Sequence, residues 1–242
     1  MSALLEIAVF SLHGAAHAAK AGAHRIELCE NAGEGGTTPS YGTLRAVRRM
    51  QDIPFFPIIR PRGGDFVYSE AEFETLLDDL RLCRDLGFPG AVTGVLTEEG
   101  HIDLVRMQRV MQEASDMAIT FHRAFDRCRN PLQALEELIA LGVNRILSSG
   151  QTPSLMDGLD LLRDLVERAA GRIIIMPGSG LNSGNIAHVA AATGAREFHT
   201  AARKTLLRDQ VYTAPGMKET PSFTTVDTDE IGRLLQFVEQ LP

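Results

Sequence analysis

The sequence contains no tryptophan and only three cysteines among its 242 residues. Cys29, Cys83 and Cys128 are odd in number, lie far apart and include no Cys-x-x-Cys pair. That pattern argues against a disulfide framework and against a structural zinc site. We therefore expect three reduced thiols in a reducing compartment.

An excess of positive charge and long apolar runs are also missing. The formal net charge is −7 and the isoelectric point is near 5.5, so the chain has no general attraction to nucleic acid or anionic membranes. No run approaches the roughly 18 apolar residues that a membrane span needs, and no basic end followed by an apolar stretch opens the chain. We expect a soluble cytoplasmic protein with a small-molecule or metal-ion ligand and no nucleic-acid or membrane partner.

Short apolar runs alternate with segments of helical periodicity along the whole chain. The predicted strands are Leu4–Phe10, Arg25–Cys29, Phe55–Arg60, Gly90–Leu96, Ala118–Phe121, Val143–Leu147, Arg172–Met176 and Glu197–Thr200. Eight such units are typical of a closed barrel of parallel strands, and a doubly wound open sheet is the alternative. We predict an α/β fold, a single (β/α)8 TIM barrel over residues 1–242, which pairs as a homodimer. Residues 204–225 are predicted to form a loop near the site.

Polar residues occupy positions in or just after the strands, where barrel enzymes place their chemistry. Glu6 and Glu27 lie in otherwise apolar strands, and a buried carboxylate needs a cation or strong hydrogen bonds. Arg60 and His122 are the expected partners, so these four residues are predicted to converge in one cavity. The alternative is a structural polar layer. The candidate catalytic residues are Glu6, Glu27, Arg60, His122 and Asp126.

Two segments have the composition of anion-binding sites. Ile-Arg-Pro-Arg-Gly-Gly-Asp (59–65) places two guanidinium groups at a strand end. Met-Pro-Gly-Ser-Gly (176–180) offers backbone N–H groups after the seventh strand. The alternatives are that Arg60 merely neutralises a glutamate, and that the glycines merely form a tight turn. The candidate ligand-binding residues are Arg62, Thr93, Ser148, Gly178, Ser179, Gly180, His199 and Arg203. We expect Asp126 to orient a histidine, either His122 or His199.

Several motifs together resemble those of the CutC family of copper homeostasis proteins. They are Ile-Glu-Leu-Cys (26–29), Ile-Arg-Pro-Arg-Gly-Gly-Asp-Phe (59–66), Thr-Phe-His-Arg-Ala-Phe-Asp (120–126), Leu-Ser-Ser-Gly (147–150), Met-Pro-Gly-Ser-Gly (176–180), Glu-Gly-Gly-Thr-Thr-Pro-Ser (34–40) and Glu-Phe-His (197–199). The resemblance implies a TIM barrel in the cytoplasm with a role in copper homeostasis and copper(I) binding. By position, it implies Cys29 as the metal ligand.

The residues themselves leave three functions open. Copper(I) prefers soft ligands, so a single Cys29 among Glu and Arg groups is a poor site unless Met176 or a second subunit contributes. The polar set is typical of a metal-independent acid–base enzyme for a phosphorylated or carboxylated metabolite. A nucleotide-binding oxidoreductase is the weakest alternative, because the Gly-Ser-Gly turn has no complete dinucleotide fingerprint. Cys29 shares a strand face with Glu27, so it is predicted to be the most reactive thiol.

Overall fold

The computed structural model describes residues 3–50, 53–207, 212, 214, 216 and 222–241. Eight strands alternate with helices in the order of a (β/α)8 barrel, as the sequence predicts. The strands are β1 Leu4–Val9, β2 Arg25–Leu28, β3 Phe55–Pro57, β4 Gly90–Thr93, β5 Ala118–Phe121, β6 Arg145–Ser148, β7 Ile174–Pro177 and β8 Glu197–Thr200. The helices are α1 Leu12–Lys20, α2 Tyr41–Val47, α3 Glu70–Asp85, α4 Leu104–Ala114, α5 Pro131–Ala140, α6 Leu159–Ala169, α7 Ile186–Thr193 and α8 Thr228–Val238.

The strands pair in parallel within two halves of the barrel. One half has the order β3-β2-β1-β8 and the other the order β4-β5-β6-β7. A single bridge between Ile58 and Val92 joins the halves at β3 and β4. On the opposite side β7 lies beside β8, but no hydrogen-bonded ladder connects these two strands within the described residues. The carboxyl ends of all eight strands therefore meet at one mouth.

The helices begin where side-chain caps are available and bury one apolar face. Ser69 and Glu72 form a capping box at the start of α3, which satisfies two backbone N–H groups that the helix leaves free. Asn130 caps α5 and is followed by Pro131, whose fixed φ suits the first helical position. Phe73 and its helical neighbours at three- and four-residue spacing are fully buried, so α3 packs its apolar stripe on the barrel.

The segment after β8 is more ordered than a loop. β9 Arg203–Leu207 and β10 Ser222–Val226 pair as an antiparallel hairpin, and β10 packs on α1 through a 2.9 Å hydrogen bond between Thr225 and His13. The prediction of an irregular loop is therefore wrong for these strands, although most of residues 208–221 lie outside the described residues. None of the helices in the described part of the chain is long and apolar enough to cross a membrane.

Candidate functional site

A cavity of about 920 Å³ opens at the mouth of the barrel. Its walls come from β2, the segments that follow β3, β5, β7 and β8, and the start of α8. The residues predicted from the sequence that line it are Glu27, Arg60, His122, Asp126, Ser179, Gly180, His199 and Arg203. Three of the four residues predicted to converge therefore do so, and Glu6 does not reach the cavity.

Glu6 lies one layer below the cavity and has different partners from those predicted. Its fully buried carboxylate accepts hydrogen bonds from Nε of Arg25 and, at 2.7 Å, from Nδ1 of His199. Parallel pairing places both partners directly opposite Glu6. Burial raises the pKa of Glu6, but Arg25 and then His199 lower it further, to about 2. The prediction that Arg60 or His122 neutralises this carboxylate is wrong.

Arg25 belongs to a buried ionic layer that sequence reasoning missed. Its guanidinium also donates to Glu197 at 2.6 Å and to the Met176 sulfur at 3.3 Å. Arg145 donates to the same Glu197 at 3.0 Å. Glu6 therefore belongs to the structural polar layer that was the alternative interpretation. Arg25 stands two residues before Glu27 on the same strand face, and this spacing was the available signal.

Glu27 and His199 face one another at the floor of the cavity. Oε2 of Glu27 lies 3.7 Å from Nε2 of His199. Burial raises the pKa of Glu27, the charge of His199 lowers it and that of Glu6 raises it again, and the result is about 7. Burial lowers the pKa of His199, but the hydrogen bond to Glu6 and the charges of both glutamates raise it above its ordinary value. Glu6 thus fixes Nδ1 of His199 and leaves Nε2 towards Glu27.

Arg60 holds the loops around the mouth together through their backbone. Its guanidinium donates to the carbonyl oxygens of Glu34 at 2.7 Å, Gly36 at 2.9 Å and Gly64 at 2.8 Å. It also lies over the ring of Phe66, 4.8 Å from its centroid. The alternative that Arg60 neutralises Glu6 or Glu27 is therefore wrong, and its positive charge has no carboxylate partner among the described residues.

His122 is a second buried group on the cavity wall. Its Nδ1 accepts a hydrogen bond from the backbone N–H of Ala124 at 3.2 Å, where a short 3₁₀ turn begins. Its Nε2 is buried and has no hydrogen-bond partner in the described part of the chain. Burial and the nearby charge of Arg60 lower the pKa of His122 to about 3. The imidazole is therefore neutral at physiological pH.

Asp126 orients an arginine and two serines rather than a histidine. Its carboxylate accepts from Nε of Arg123 at 2.7 Å, from the hydroxyl of Ser148 at 2.6 Å and from the backbone N–H of Ser149 at 3.0 Å. Arg123, which was not among the candidate residues, then donates to Ser179 at 3.0 Å. The predicted role of Asp126 beside a histidine is wrong, because the strand-end serines and Arg123 take up its oxygens.

The glycine loop after β7 only partly matches an anion cradle. The N–H of Gly178 donates to the carbonyl of Ser148 at 2.9 Å, so the sheet uses it. A side chain at Gly178 would stand 2.6 Å from Leu147, which explains the glycine by close packing. Ser179 and Gly180 have φ values of +77° and +95°, and both line the cavity.

The remaining candidates differ in their position relative to the cavity. Arg203 lines it and lies over the ring of Phe10, 4.6 Å from the centroid. Arg62 instead turns outward to Glu72 at 2.6 Å and Asp65 at 3.0 Å, so its predicted place beside Arg60 in the site is wrong. Thr93 donates to a backbone carbonyl and does not line the cavity.

Comparisons with known proteins decide the family. A model of the CutC family matches residues 3–204. The chain belongs to the CutC family. A CutC family protein of Chromobacterium violaceum is 51% identical over 203 residues, which cover 84% of this chain and 82% of the relative. A CutC family protein of Parabacteroides distasonis is 45% identical over 235 residues, 95% of this chain and 97% of the relative.

Solved structures agree with this assignment. The CutC protein of Streptococcus agalactiae, named for copper homeostasis, superposes with a TM-score of 0.79 at 32% identity, covering 82% of this chain and 98% of that one. Phosphoribosyl anthranilate isomerase of Thermotoga maritima superposes with a TM-score of 0.59 at 12% identity, over 99% and 100% of the two chains. The second similarity supports the barrel fold alone.

The residues around Cys29 do not fit copper(I), despite the name of the Streptococcus relative. Cys29 is buried, and burial followed by the charge of Glu27 raises the pKa of its thiol well above the ordinary value. The sulfur of Met176 accepts a hydrogen bond from Arg25. Among the described residues no group of three or more His, Cys, Asp or Glu side chains is arranged to hold a metal ion. Cys29 is thus a thiol beside the hard carboxylate of Glu27, a donor set that copper(I) does not prefer.

The three cysteines are alike in their surroundings. Cys83 and Cys128 are also buried free thiols, and burial raises the pKa of each to about 12. A thiol reacts as its thiolate, so the structure offers no electrostatic reason for Cys29 to react first. The prediction that Cys29 is the most reactive thiol receives no support from its environment.

Proposed function

We propose that this CutC family chain is an enzyme that performs acid–base chemistry on a small anionic metabolite in the mouth of the barrel. The proposal is carried by Glu27, a buried carboxyl group on the cavity wall with a pKa of about 7. A general acid or base works best when its pKa lies near the working pH. Perturbed carboxyl groups in a cavity are typical of catalytic sites.

His199 and Glu6 support this role of Glu27. The ionised carboxylate of Glu6 accepts the Nδ1 proton of His199, which fixes the orientation of the imidazole. Nε2 then lies 3.7 Å from the Glu27 carboxylate, close enough for one water molecule or a substrate oxygen to join the two. Glu27 exchanges the proton in this proposal, and Glu6 is a positioning residue.

Arginines without a carboxylate partner supply positive charge for an anionic group of the substrate. The guanidinium of Arg60 donates to backbone carbonyls and lies over a ring, and neither Arg60 nor Arg203 is in an ion pair with a carboxylate among the described residues. Of the other cavity arginines, Arg123 and Arg233 are already paired, with Asp126 and Glu230 respectively, whereas Arg127 is in no ion pair among the described residues. The unneutralised cations, Arg60 and Arg203 among them, therefore attract a phosphate or carboxylate into the cavity.

The test begins with a thermal-shift screen of phosphorylated and carboxylated metabolites. A ligand at a hundred times its Kd stabilises a protein by about 2.7 kcal/mol, which such a screen detects. We expect Arg203→Ala to weaken binding of the hits, while Arg172→Ala on the outer surface leaves binding unchanged. Glu27→Gln should retain binding and lower turnover by about 10²- to 10⁴-fold.

Two outcomes contradict the proposal. One is that Glu27→Gln turns over a confirmed substrate as fast as the wild type. The other is that no anionic metabolite stabilises the wild type more than it stabilises Arg203→Ala.

Copper(I) binding is the second candidate function, and the name of the Streptococcus relative favours it. Cys29 is buried within reach of the charge of Glu27 and is the thiol that such a site would use. Anaerobic titration of copper(I) against a competing chelator distinguishes the two functions. From the surroundings of Cys29 we expect Cys29→Ser and the control Cys83→Ser to bind copper(I) as the wild type does. A loss of affinity of about tenfold or more in Cys29→Ser alone favours copper binding.

A further inference from the structure

The unpaired nitrogen of His122 is a feature that acid–base chemistry at Glu27 does not explain. His122 is 4% exposed and lines the cavity, yet its Nε2 has no partner among the described residues. A buried polar group without a hydrogen bond costs about 1–3 kcal/mol. Such a group in a cavity wall is accounted for when a bound ligand supplies the missing partner.

Local contacts determine which kind of partner that nitrogen needs. A backbone N–H only donates, so the hydrogen bond from Ala124 requires Nδ1 of His122 to be the acceptor. The proton of a neutral imidazole is then on Nε2. Burial and the charge of Arg60 keep the pKa of His122 at about 3, so this tautomer persists through the physiological range. His122 therefore carries a neutral N–H donor on a ring that lines the cavity.

We propose that His122 donates its Nε2 proton in a hydrogen bond to a carbonyl oxygen of the substrate. The substrate is then a small carbonyl compound that also carries the anionic group bound by the arginines, and in this respect the inference rests on the proposed function. A neutral imidazole donor polarises a carbonyl without transferring a full charge to it. Arg60 and Arg203 already serve the anion, so a further neutral donor at the same site suits a different oxygen.

The arrangement of strands places His122 and Glu27 on different walls of the cavity. Glu27 is on β2 and His122 follows β5 directly, and these strands are three positions apart around the barrel. A small substrate held between them has its carbonyl oxygen at His122 and a neighbouring carbon towards Glu27. In this proposal the two groups act on neighbouring atoms of the substrate, as removal of a proton next to a carbonyl group requires.

The step balances without another reactant. The Glu27 carboxylate takes the proton from the carbon beside the carbonyl, and the electron pair of that C–H bond forms a carbon–carbon double bond. The carbonyl electron pair moves onto the oxygen, where the Nε2–H of His122 stabilises the developing negative charge. Return of the proton from Glu27 to the same carbon re-forms the carbonyl and completes an exchange. Where that carbon carries a hydroxyl group, transfer of the hydroxyl proton to the former carbonyl oxygen and return of the proton from Glu27 to the former carbonyl carbon complete an isomerisation.

The experiment compares probes that differ in the carbonyl oxygen but share the anion. Phosphoglycolohydroxamate, an enediolate mimic, is compared with sn-glycerol 3-phosphate, and pyruvate with lactate, while inorganic phosphate and acetate report on the anion site. Calorimetry measures all six with the wild type and with His122→Phe, which retains an aromatic ring but has no donor. In parallel, ¹⁵N-labelled histidine spectra of the wild type follow the His122 ring from pH 5 to pH 8.

We expect at least one carbonyl or enediolate probe to bind the wild type about tenfold or more tightly than its alcohol counterpart, since one buried donor becomes satisfied. In His122→Phe this preference should vanish, while phosphate or acetate binds as before. The spectra should show a neutral ring that is protonated at Nε2 throughout this pH range. Binding of the same probe should change the chemical shift of the Nε2 proton. The spectra of the wild type provide this test even if His122→Phe fails to fold.

Several results overturn the inference. Equal affinities within both pairs, or binding of phosphate or acetate without binding of either carbonyl probe, reject the carbonyl subsite and leave the proposed anion site intact. A His122 ring that titrates between pH 5 and pH 8, or that is protonated at Nδ1, rejects it as well. If none of the six probes binds, the proposed function fails together with the inference.

Discussion

Replacing Glu27 by glutamine should make the protein more stable at alkaline pH, because a buried carboxylate is costly. The carboxyl group titrates near pH 7 in the folded protein and near 4.5 in the unfolded chain. Between these values the folded protein holds a proton that the unfolded chain has released, so stability falls as the pH rises from 4.5 to 7. At about 1.4 kcal/mol for each pH unit, the cost above pH 7 is about 3 kcal/mol.

Glutamine cannot ionise, so Glu27→Gln should gain about 3 kcal/mol over the wild type at pH 8 and lose that gain as the pH falls to 4. Urea unfolding followed by far-ultraviolet circular dichroism measures this, since the chain has no tryptophan for fluorescence. The control is Glu136→Gln, which alters an exposed ion pair with Arg172 and should change stability by less than about 1 kcal/mol. A difference between Glu27→Gln and the wild type that is independent of pH, or a variant less stable at pH 8 than at pH 4 relative to the wild type, refutes the reasoning.

Three further substitutions test the buried ion pair of Glu6 and the packing at two glycines. Glu6→Gln should lower the free energy of unfolding by about 3 kcal/mol at pH 7. Because the pKa of Glu6 is lowered to about 2, this loss should shrink as the pH falls from 4.5 towards 2. An equal loss in urea unfolding at pH 3 and at pH 7 contradicts the prediction. Gly158→Ala would direct a methyl group against the backbone oxygen of Ser149 and should lower stability by about 2 kcal/mol or more. Gly232→Ala in α8 meets open space and should raise stability by up to about 1 kcal/mol, so a similar thermal unfolding midpoint for both glycine variants is the contrary result.

The succession of strands and helices could be predicted from the sequence because it depends on local patterns. The apolar runs beginning at Leu4, Arg25 and Ala118 start where β1, β2 and β5 start. The ends of the strands were predicted less accurately, since β3 ends at Pro57 and the predicted strand continues to Arg60. Ladder pairing beyond that proline is reduced to the single bridge at Ile58, which the apolar run alone does not indicate.

The partners of the polar residues could not be predicted, because they depend on strand register. Glu6 pairs with Arg25 and His199 since parallel pairing places these residues directly opposite it. Nothing local to Glu6 encodes that alignment. The residues that line the site were easier to predict than their hydrogen-bond partners. Both Glu27 and His122 were found by their position in or after a strand. Arg25 was missed because attention to strand ends excludes the first residue of a strand.

The ionic layer also bears on how the barrel is held closed. Glu197 on β8 accepts hydrogen bonds from Arg25 on β2 and Arg145 on β6. These bonds reach across the neighbouring strands β1 and β7. One of them crosses the junction of β7 and β8, where a backbone ladder is absent within the described residues. Side chains thus perform there the cross-linking that main-chain hydrogen bonds perform elsewhere in the barrel. The junction of β7 and β8 is therefore held together from the barrel interior by the ionic layer that also contains Glu6, so removal of the Glu197 side chain would loosen the wall and the floor of the site together.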